Sequence, residues 1–249
     1  MKYGQLLVFL LLSACLQLNL IGQGEQLFNN SSVHEIRVSI NDTDYWNILL
    51  DNYNNNYPDV PYVMANVEID GTSVDSIGIR LKGFASFWVF TDKKSMKLDF
   101  NKFVLGKKFD GLKKINLNNA EGDPSLQRDF ICYDIHRNAG VDAPRTSYAK
   151  VYLNEEYWGL YVLVEQIDKT FLNNNFDNAN GRLFKNMANS DLNWLGSDST
   201  AYQKIFELKT DQGENNWDDF VNLMDIINNS SDQEFKDKIS KVFDVKRFL

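Results

Sequence analysis

The stretch 147–168 limits the folds open to this chain more than any other. Tyr148, Val151 and Tyr152 are strand formers, Asn154, Glu155 and Glu156 make a polar turn, and Trp158-Gly-Leu-Tyr-Val-Leu-Val164 is an almost unbroken apolar run ending at Glu165. A strand that is apolar on both faces cannot present either of them to water. The second arm of this hairpin therefore belongs inside a sheet, between two neighbours. The abrupt change to Glu165, Gln166, Asp168 and Lys169 puts polar groups at the end of a buried strand, where clefts form.

Several other segments read as strands with one buried face. Residues 35–40 alternate, and 64–69 and 74–81 form a hairpin around the turn-forming pair Asp70 and Gly71. In 95–100, Met96, Leu98 and Phe100 share one face, while Lys97 and Asp99 share the other. Asn41 caps a short amphipathic helix carrying Tyr45, Trp46, Ile48 and Leu49, and 53–61 is a loop by composition. A longer helix is predicted over 124–138, with Asp123 as N-cap, Pro124 at the first position and Gly140 closing the end. Within it Cys132 reads as a small buried hydrophobe rather than a nucleophile.

Beyond Asp168 the chain is Asn-rich, with short strands at 181–185 and 202–209. Asn216 caps a helix whose apolar face is Trp217, Phe220, Val221, Met224 and Ile227. Ser231 and Glu234 form a capping box opening a further helix with Phe235, Ile239 and Val242 on its face. Asp244 starts another, and the chain stops soon after at Leu249, as expected of a polypeptide that continues.

The first residues read as an export signal. Lys2 precedes an apolar core at 6–12, which is too short to span a bilayer. Two exits compete. The sequence Leu12-Ser-Ala-Cys15 resembles a lipobox that would lipidate Cys15, and Gly22 and Gly24 offer ordinary cleavage, which the apolar Leu16, Leu18, Leu20 and Ile21 favour. The domain plan is a signal peptide over 1–24, a linker over 25–32 and one domain over 33–249. Either exit makes the protein secreted or envelope-associated, with membrane contact only through a possible lipid anchor. Sequons at Asn30, Asn41 and Asn229 matter only in a eukaryotic secretory route. Cys15 and Cys132 are the two cysteines, so the exported domain has no internal disulfide to form. A net charge of −8 argues against nucleic acid as a partner, because phosphate backbones call for clustered Lys and Arg.

The hairpin motif Gly159-Leu-Tyr-Val-Leu-Val-Glu-Gln-Ile-Asp168, with its preceding Asn-Glu turn, carries a resemblance. So do Gly111-Leu-Lys-Lys-Ile-Asn-Leu-Asn-Asn-Ala120, the run Asp123-Pro-Ser-Leu-Gln-Arg-Asp129 and the run from Gly140 to Tyr148. In this order the motifs resemble the CotH (spore coat protein H) kinase-like family from about Val33 onward. The resemblance implies an α+β fold: a protein-kinase-like small lobe with an antiparallel sheet and one helix, followed by the start of a helical large lobe. It also implies an exported atypical protein kinase that uses ATP with Mg²⁺ or Mn²⁺ to phosphorylate Ser or Thr of a protein substrate in the envelope or extracellular space.

On that resemblance Lys97 is the strand lysine for the ATP phosphates, with Lys93 and Lys94 as rivals. Gly83, in a Lys-Gly-Phe-Ala-Ser segment at the place of the family's Arg-Gly-Asn-Ser-Ser-like loop, permits close backbone approach. Asp129 and Asp134 are candidates to orient the lysine, and Glu165 and Ile167 would present backbone groups to adenine. The family's catalytic and metal-binding aspartates lie in later Trp-Asp segments. Here Trp217-Asp218 opens an amphipathic helix without the following asparagines, so no catalytic or metal-ligating residue is assigned.

Other chemistries find no pattern. His34 and His136 lack metal-ligand spacing, and there is no nucleophile elbow, Walker loop or dinucleotide fingerprint. The alternative is a non-catalytic secreted surface or structural protein that uses the same fold for binding, with Trp88, Phe90 and Trp194 as candidate contact aromatics.

Overall fold

The computed structural model describes residues 22–29, 32–88, 91–187, 189–210 and 217–248. The apolar core at 6–12, Cys15, the Asn30 sequon, Phe90 and the Asn216 cap lie outside the described residues.

Seven strands close into a barrel: β1 (Val33–Ser39), β2 (Val63–Ile69), β3 (Thr72–Leu81), β4 (Met96–Asp99), β5 (Lys114–Asn118), β6 (Thr146–Leu153) and β7 (Glu156–Glu165). Their order around the barrel is β1-β2-β3-β4-β5-β7-β6, and β1 closes the circle by pairing in parallel with β6. The apolar phase of every strand points inward. Ile36, Val38, Ile79, Leu81, Met96, Leu98, Ile115, Leu117, Val151 and Leu163 are buried in one cluster, the alternation that a filled small barrel demands. As its two-faced apolar run requires, β7 lies between β5 and β6, and Tyr161, Val162, Leu163 and Val164 are all buried.

The turn residues act as the sequence suggests. Asp70 and Gly71 have φ of 50° and 81°, and Asn154 and Glu155 have φ of 47° and 67°, the left-handed pairs that match the twist of two-residue hairpins. Asn154 does more than turn the chain. Its side chain accepts from the Ile40 amide at 2.7 Å and donates to the Ile40 carbonyl at 3.0 Å, locking the end of β1 to the β6–β7 turn.

The fold remains α+β, but the kinase-like small lobe and helical large lobe expected above are not what forms. A barrel replaces the open antiparallel sheet because β1 offers a second edge that β6 occupies in register, Val33 opposite Tyr148 through Val38 opposite Leu153. Closure removes two sheet edges whose backbone groups would otherwise be unpaired.

Around the barrel lie short helices: α1 (Glu25–Phe28), α2 (Tyr45–Asn56), α3 (Arg128–Asn138) and α4 (Lys169–Asn175). The segment expected as a polar linker carries α1, and its Leu27 is fully buried in the barrel cluster. The Leu27 carbonyl meets Ser147 Oγ at 2.6 Å and His34 Nε2 at 2.9 Å.

Two helix starts differ from expectation. Helix α2 begins after Asp44, not Asn41, and extends through Asn56 into the expected loop. Helix α3 begins at Arg128, because the Asp123 carboxylate is engaged in a turn. It accepts from Ser125 N, Ser125 Oγ and, at 2.7 Å, Arg128 N, while Leu126 sits at φ 59°. No residue of α3 is buried, and Cys132 is exposed rather than packed.

The remaining chain builds a second, smaller core. Strands β8 (Phe184–Asn186) and β9 (Phe206–Leu208) pair into a ribbon, covered by α5 (Asp218–Asn229) and followed by α6 (Asp232–Val242) and α7 (Val245–Phe248). Tyr202, Phe206, Trp217, Phe220 and Met224 form this core, and Trp194 packs against it rather than standing free. The capping box at Ser231 and Glu234 is formed. No described helix is long and apolar enough to cross a membrane.

Candidate functional site

The inward-facing apolar phase of β3 and β4 forces their polar phase outward, and the pairing register makes that phase a patch. Arg80 on β3 lies opposite Lys97 on β4, which lies opposite Asn116 on β5. Lys82 follows Arg80 on the same phase, just past the end of β3. The β8–β9 ribbon faces this patch and adds Lys185 on β8, Lys204 from the short turn before β9 and Lys209 just past β9, and Lys102 comes from the loop after β4. The half-open cleft has a volume of about 1190 Å³. Against these seven cations, two carboxylates among the described residues line it, Asp59 and Glu207, and Glu207 is already paired with Lys209.

So many like charges in a half-buried cleft disfavour one another's protonation. Burial, reinforced by Lys82, Arg80, Lys114 and Lys185, pushes Lys97 down to about 6. Burial pushes Lys82 down to about 8, with Asp129 opposing and Lys185 and Arg80 adding to the fall. Lys185 is lowered as well, by burial and Lys209. The guanidinium of Arg80 lies 5.2 Å over the ring of Tyr62, and its buried Nε has no hydrogen-bond partner among the described residues. A polyanion would supply what this arrangement lacks: acceptors for the donors and a charge that restores the ammonium forms.

The loop between β3 and β4 is anchored from β5. Lys82 Nζ donates to Asn118 Oδ1 at 2.7 Å, and Asn118 Nδ2 donates to Asp129 Oδ2 at 2.8 Å. Asn119 accepts from Ser95 Oγ at 2.8 Å and donates to the carbonyls of Lys93 and Ser86 at 2.9 and 3.2 Å. Gly83 sits at φ 99°, where a Cβ would also strike Ser86 Oγ, and its carbonyl accepts the Tyr53 hydroxyl. These contacts hold the Lys82-Gly83-Phe84 backbone at the cleft wall.

The sequence-derived residues separate. Lys97 and Gly83 both line the cleft, whereas the rival Lys94 is buried with Nζ on the Phe87 carbonyl, and Lys93 lies over the Tyr161 ring. Asp129 reaches Lys82 through Asn118 rather than Lys97, and Asp134 pairs with Arg137 on its own helix.

Glu165 and Ile167 do not line the cleft. Glu165 is 3% exposed, and its carboxylate takes Arg145 Nε at 3.0 Å and Nη2 at 2.7 Å, while its amide donates to the Arg145 carbonyl. Asp168, the last residue of the motif, caps α4 by accepting from Thr170 N. The motif's acids thus serve the architecture.

Sequence reasoning passed over Arg80, Lys82, Asn118 and Lys185. A signal existed for the first two, since they occupy the polar phase of a strand next to that of Lys97. No local signal marks Lys185. Among the described residues, no three His, Cys, Asp or Glu side chains cluster as a metal site would require.

A family model described as CotH kinase protein matches residues 79–249, a segment that starts inside β3 and contains most of the cleft. The inner spore coat protein H of Bacillus subtilis (strain 168) is 31% identical over 166 residues, which cover 63% of this chain and 43% of that protein. The chain thus spans less than half the length of this relative. With well over half of its residues inside the matched segment, the chain belongs to the CotH family.

Proposed function

We propose that this chain binds ATP by its triphosphate in the cleft between the barrel and the β8–β9 ribbon, as part of an exported protein kinase of the CotH type. The observation that carries this reading is the convergence of Arg80, Lys82, Lys97, Lys102, Lys185, Lys204 and Lys209 on one cavity. Phosphoryl transfer involves little covalent work by the protein. Its barrier falls when fixed cations meet the charge on the phosphate oxygens in a site that excludes water. Lys97, depressed to about 6, would regain its proton as the anion enters, and Lys82, depressed to about 8, would hold its own more firmly.

The family's description as a kinase supports phosphoryl transfer, the name of the Bacillus relative supports an acceptor in a coat, and Ser or Thr is the acceptor that the sequence resemblance implies. ATP would then lose its γ-phosphoryl group to the acceptor hydroxyl and leave as ADP. Among the described residues the cleft fits the phosphates but not a metal ion, because Asp59 and the paired Glu207 do not form a donor set. Anion binding is therefore the chemistry these residues carry. A second reading, a non-catalytic surface protein that binds phosphorylated ligands with the same fold, draws on the same convergence of cations.

Calorimetric titration with ATP, with and without Mg²⁺ or Mn²⁺, tests the first part, and transfer of labelled γ-phosphate to protein by the full-length gene product tests the second. Micromolar to submillimolar binding that Lys97→Ala weakens supports the nucleotide site. Binding without transfer favours the second reading, and absence of binding at millimolar ATP refutes both the nucleotide site and the kinase.

A further inference from the structure

The cleft has two chemically distinct ends. Its floor is cationic, but its rim is formed by the 57–62 loop and by Phe84. Tyr57 and Phe84 are 44% and 51% exposed, and their ring centroids lie 5.8 Å apart. Two large rings left half in water beside each other represent apolar area that a ligand could cover.

These rings are also rigidly founded. Tyr57 packs on Tyr53 with centroids 5.3 Å apart, Tyr53 stacks on buried Phe87 at 3.5 Å, and the Tyr53 hydroxyl is tied to the Gly83 carbonyl. Phe84 lies two residues beyond Lys82 and lines the same cleft, so one short segment presents both a ring and a cation to it.

We infer that Tyr57 and Phe84 form the base-stacking platform of the cleft, so that its ligand is a nucleoside polyphosphate held by its base at the rim and by its phosphates at the floor. The inference rests on the nucleotide reading above and moves the base from the end of β7, which does not line the cleft, to the aromatic rim of the cleft. Aromatic stacking suits this position because every base has a π-face, and the rim needs no buried hydrogen-bonding groups to use it.

The test compares ATP with inorganic tripolyphosphate on the wild-type protein and on Tyr57→Leu combined with Phe84→Leu, substitutions at exposed positions that keep apolar bulk. The wild type should bind ATP more tightly than tripolyphosphate. The double variant should lose about five- to hundredfold in ATP affinity, the range base stacking contributes, with tripolyphosphate affinity unchanged. Retained tripolyphosphate binding also shows that the variant is folded. If the ATP advantage survives in the variant, or the wild type shows no such advantage, the platform is wrong while the phosphate site stands. If the wild type binds neither compound, the nucleotide reading itself falls.

Discussion

Replacing Lys97 by Met should stabilise the protein, and by an amount that depends on pH in a defined direction. Lys97 is depressed from 10.5 to about 6 by burial and by the cations around it. In the unfolded chain it stays charged up to about 10.5. Between these values the unfolded state holds the extra proton, so stability rises with pH, and the penalty is fully present below pH 6 and gone above 10.5. The full fall corresponds to ~6 kcal/mol at ~1.4 kcal/mol per tenfold change in proton affinity. The side chain lines a half-open cleft, however, and solvent screening reduces the measurable part to ~2 kcal/mol.

Methionine is close in length to the lysine stem and carries no charge. At pH 6 its melting midpoint should exceed that of the wild type by about 4–8 °C for a chain of this size. At pH 10 the difference should shrink to about 1 °C or less. Thermal melts in low-salt buffers free of phosphate and sulfate read this directly. A variant that melts below the wild type at pH 6, or shows the same displacement at both pH values, would refute the account of Lys97 as a strained cation in a cationic cleft. Adding tripolyphosphate should reverse the order, because the anion removes the repulsion that the wild type carries.

Two further outcomes follow from the same geometry. Arg145→Ala strands the buried Glu165 carboxylate and should cost ~3–5 kcal/mol in urea unfolding, yet leave ATP affinity unchanged in the folded protein, since neither residue lines the cleft; a loss of ATP binding without a loss of stability would return Glu165 to the nucleotide site. Asp129→Asn removes the acid that supports the Lys82 ammonium, so tripolyphosphate affinity should be near wild type at pH 6 and about two- to tenfold weaker at pH 9. Matching pH profiles in titration calorimetry would show that Asp129 does not act through Lys82.

Much of the barrel wall is legible in the residues. The alternation of Met96, Lys97, Leu98 and Asp99 assigns each side chain to a face, and the apolar β7 run predicts an interior strand. Helix α3 is less legible, because Asp123 satisfies amides within a turn before it reaches the helix and thereby delays the start to Arg128. The segment around α1 reads as linker because one buried Leu27 among polar neighbours has no periodicity. The site is assembled across the sequence. Lys97 and Gly83 reach one cleft through the pairing of β3 with β4, and the carboxylate of Glu165 meets Arg145, 20 residues away across the β6–β7 hairpin.

Period-two patterning, turn-forming pairs and the CotH motifs are properties of neighbouring residues, so they can be read directly along the chain. Barrel closure and the cationic cleft are not local. Any strand can complete the hydrogen-bonding edge of another, and nothing in residues 33–38 names 148–153 as their partner until the Asn154 side chain bonds to Ile40 across 114 residues. Likewise Arg80, Lys97 and Lys185 are ordinary charged positions on three strands. They become a site once β3 and β4 pair in register and the β8–β9 ribbon comes to face them, because mutual repulsion and desolvation act through space and not along the sequence.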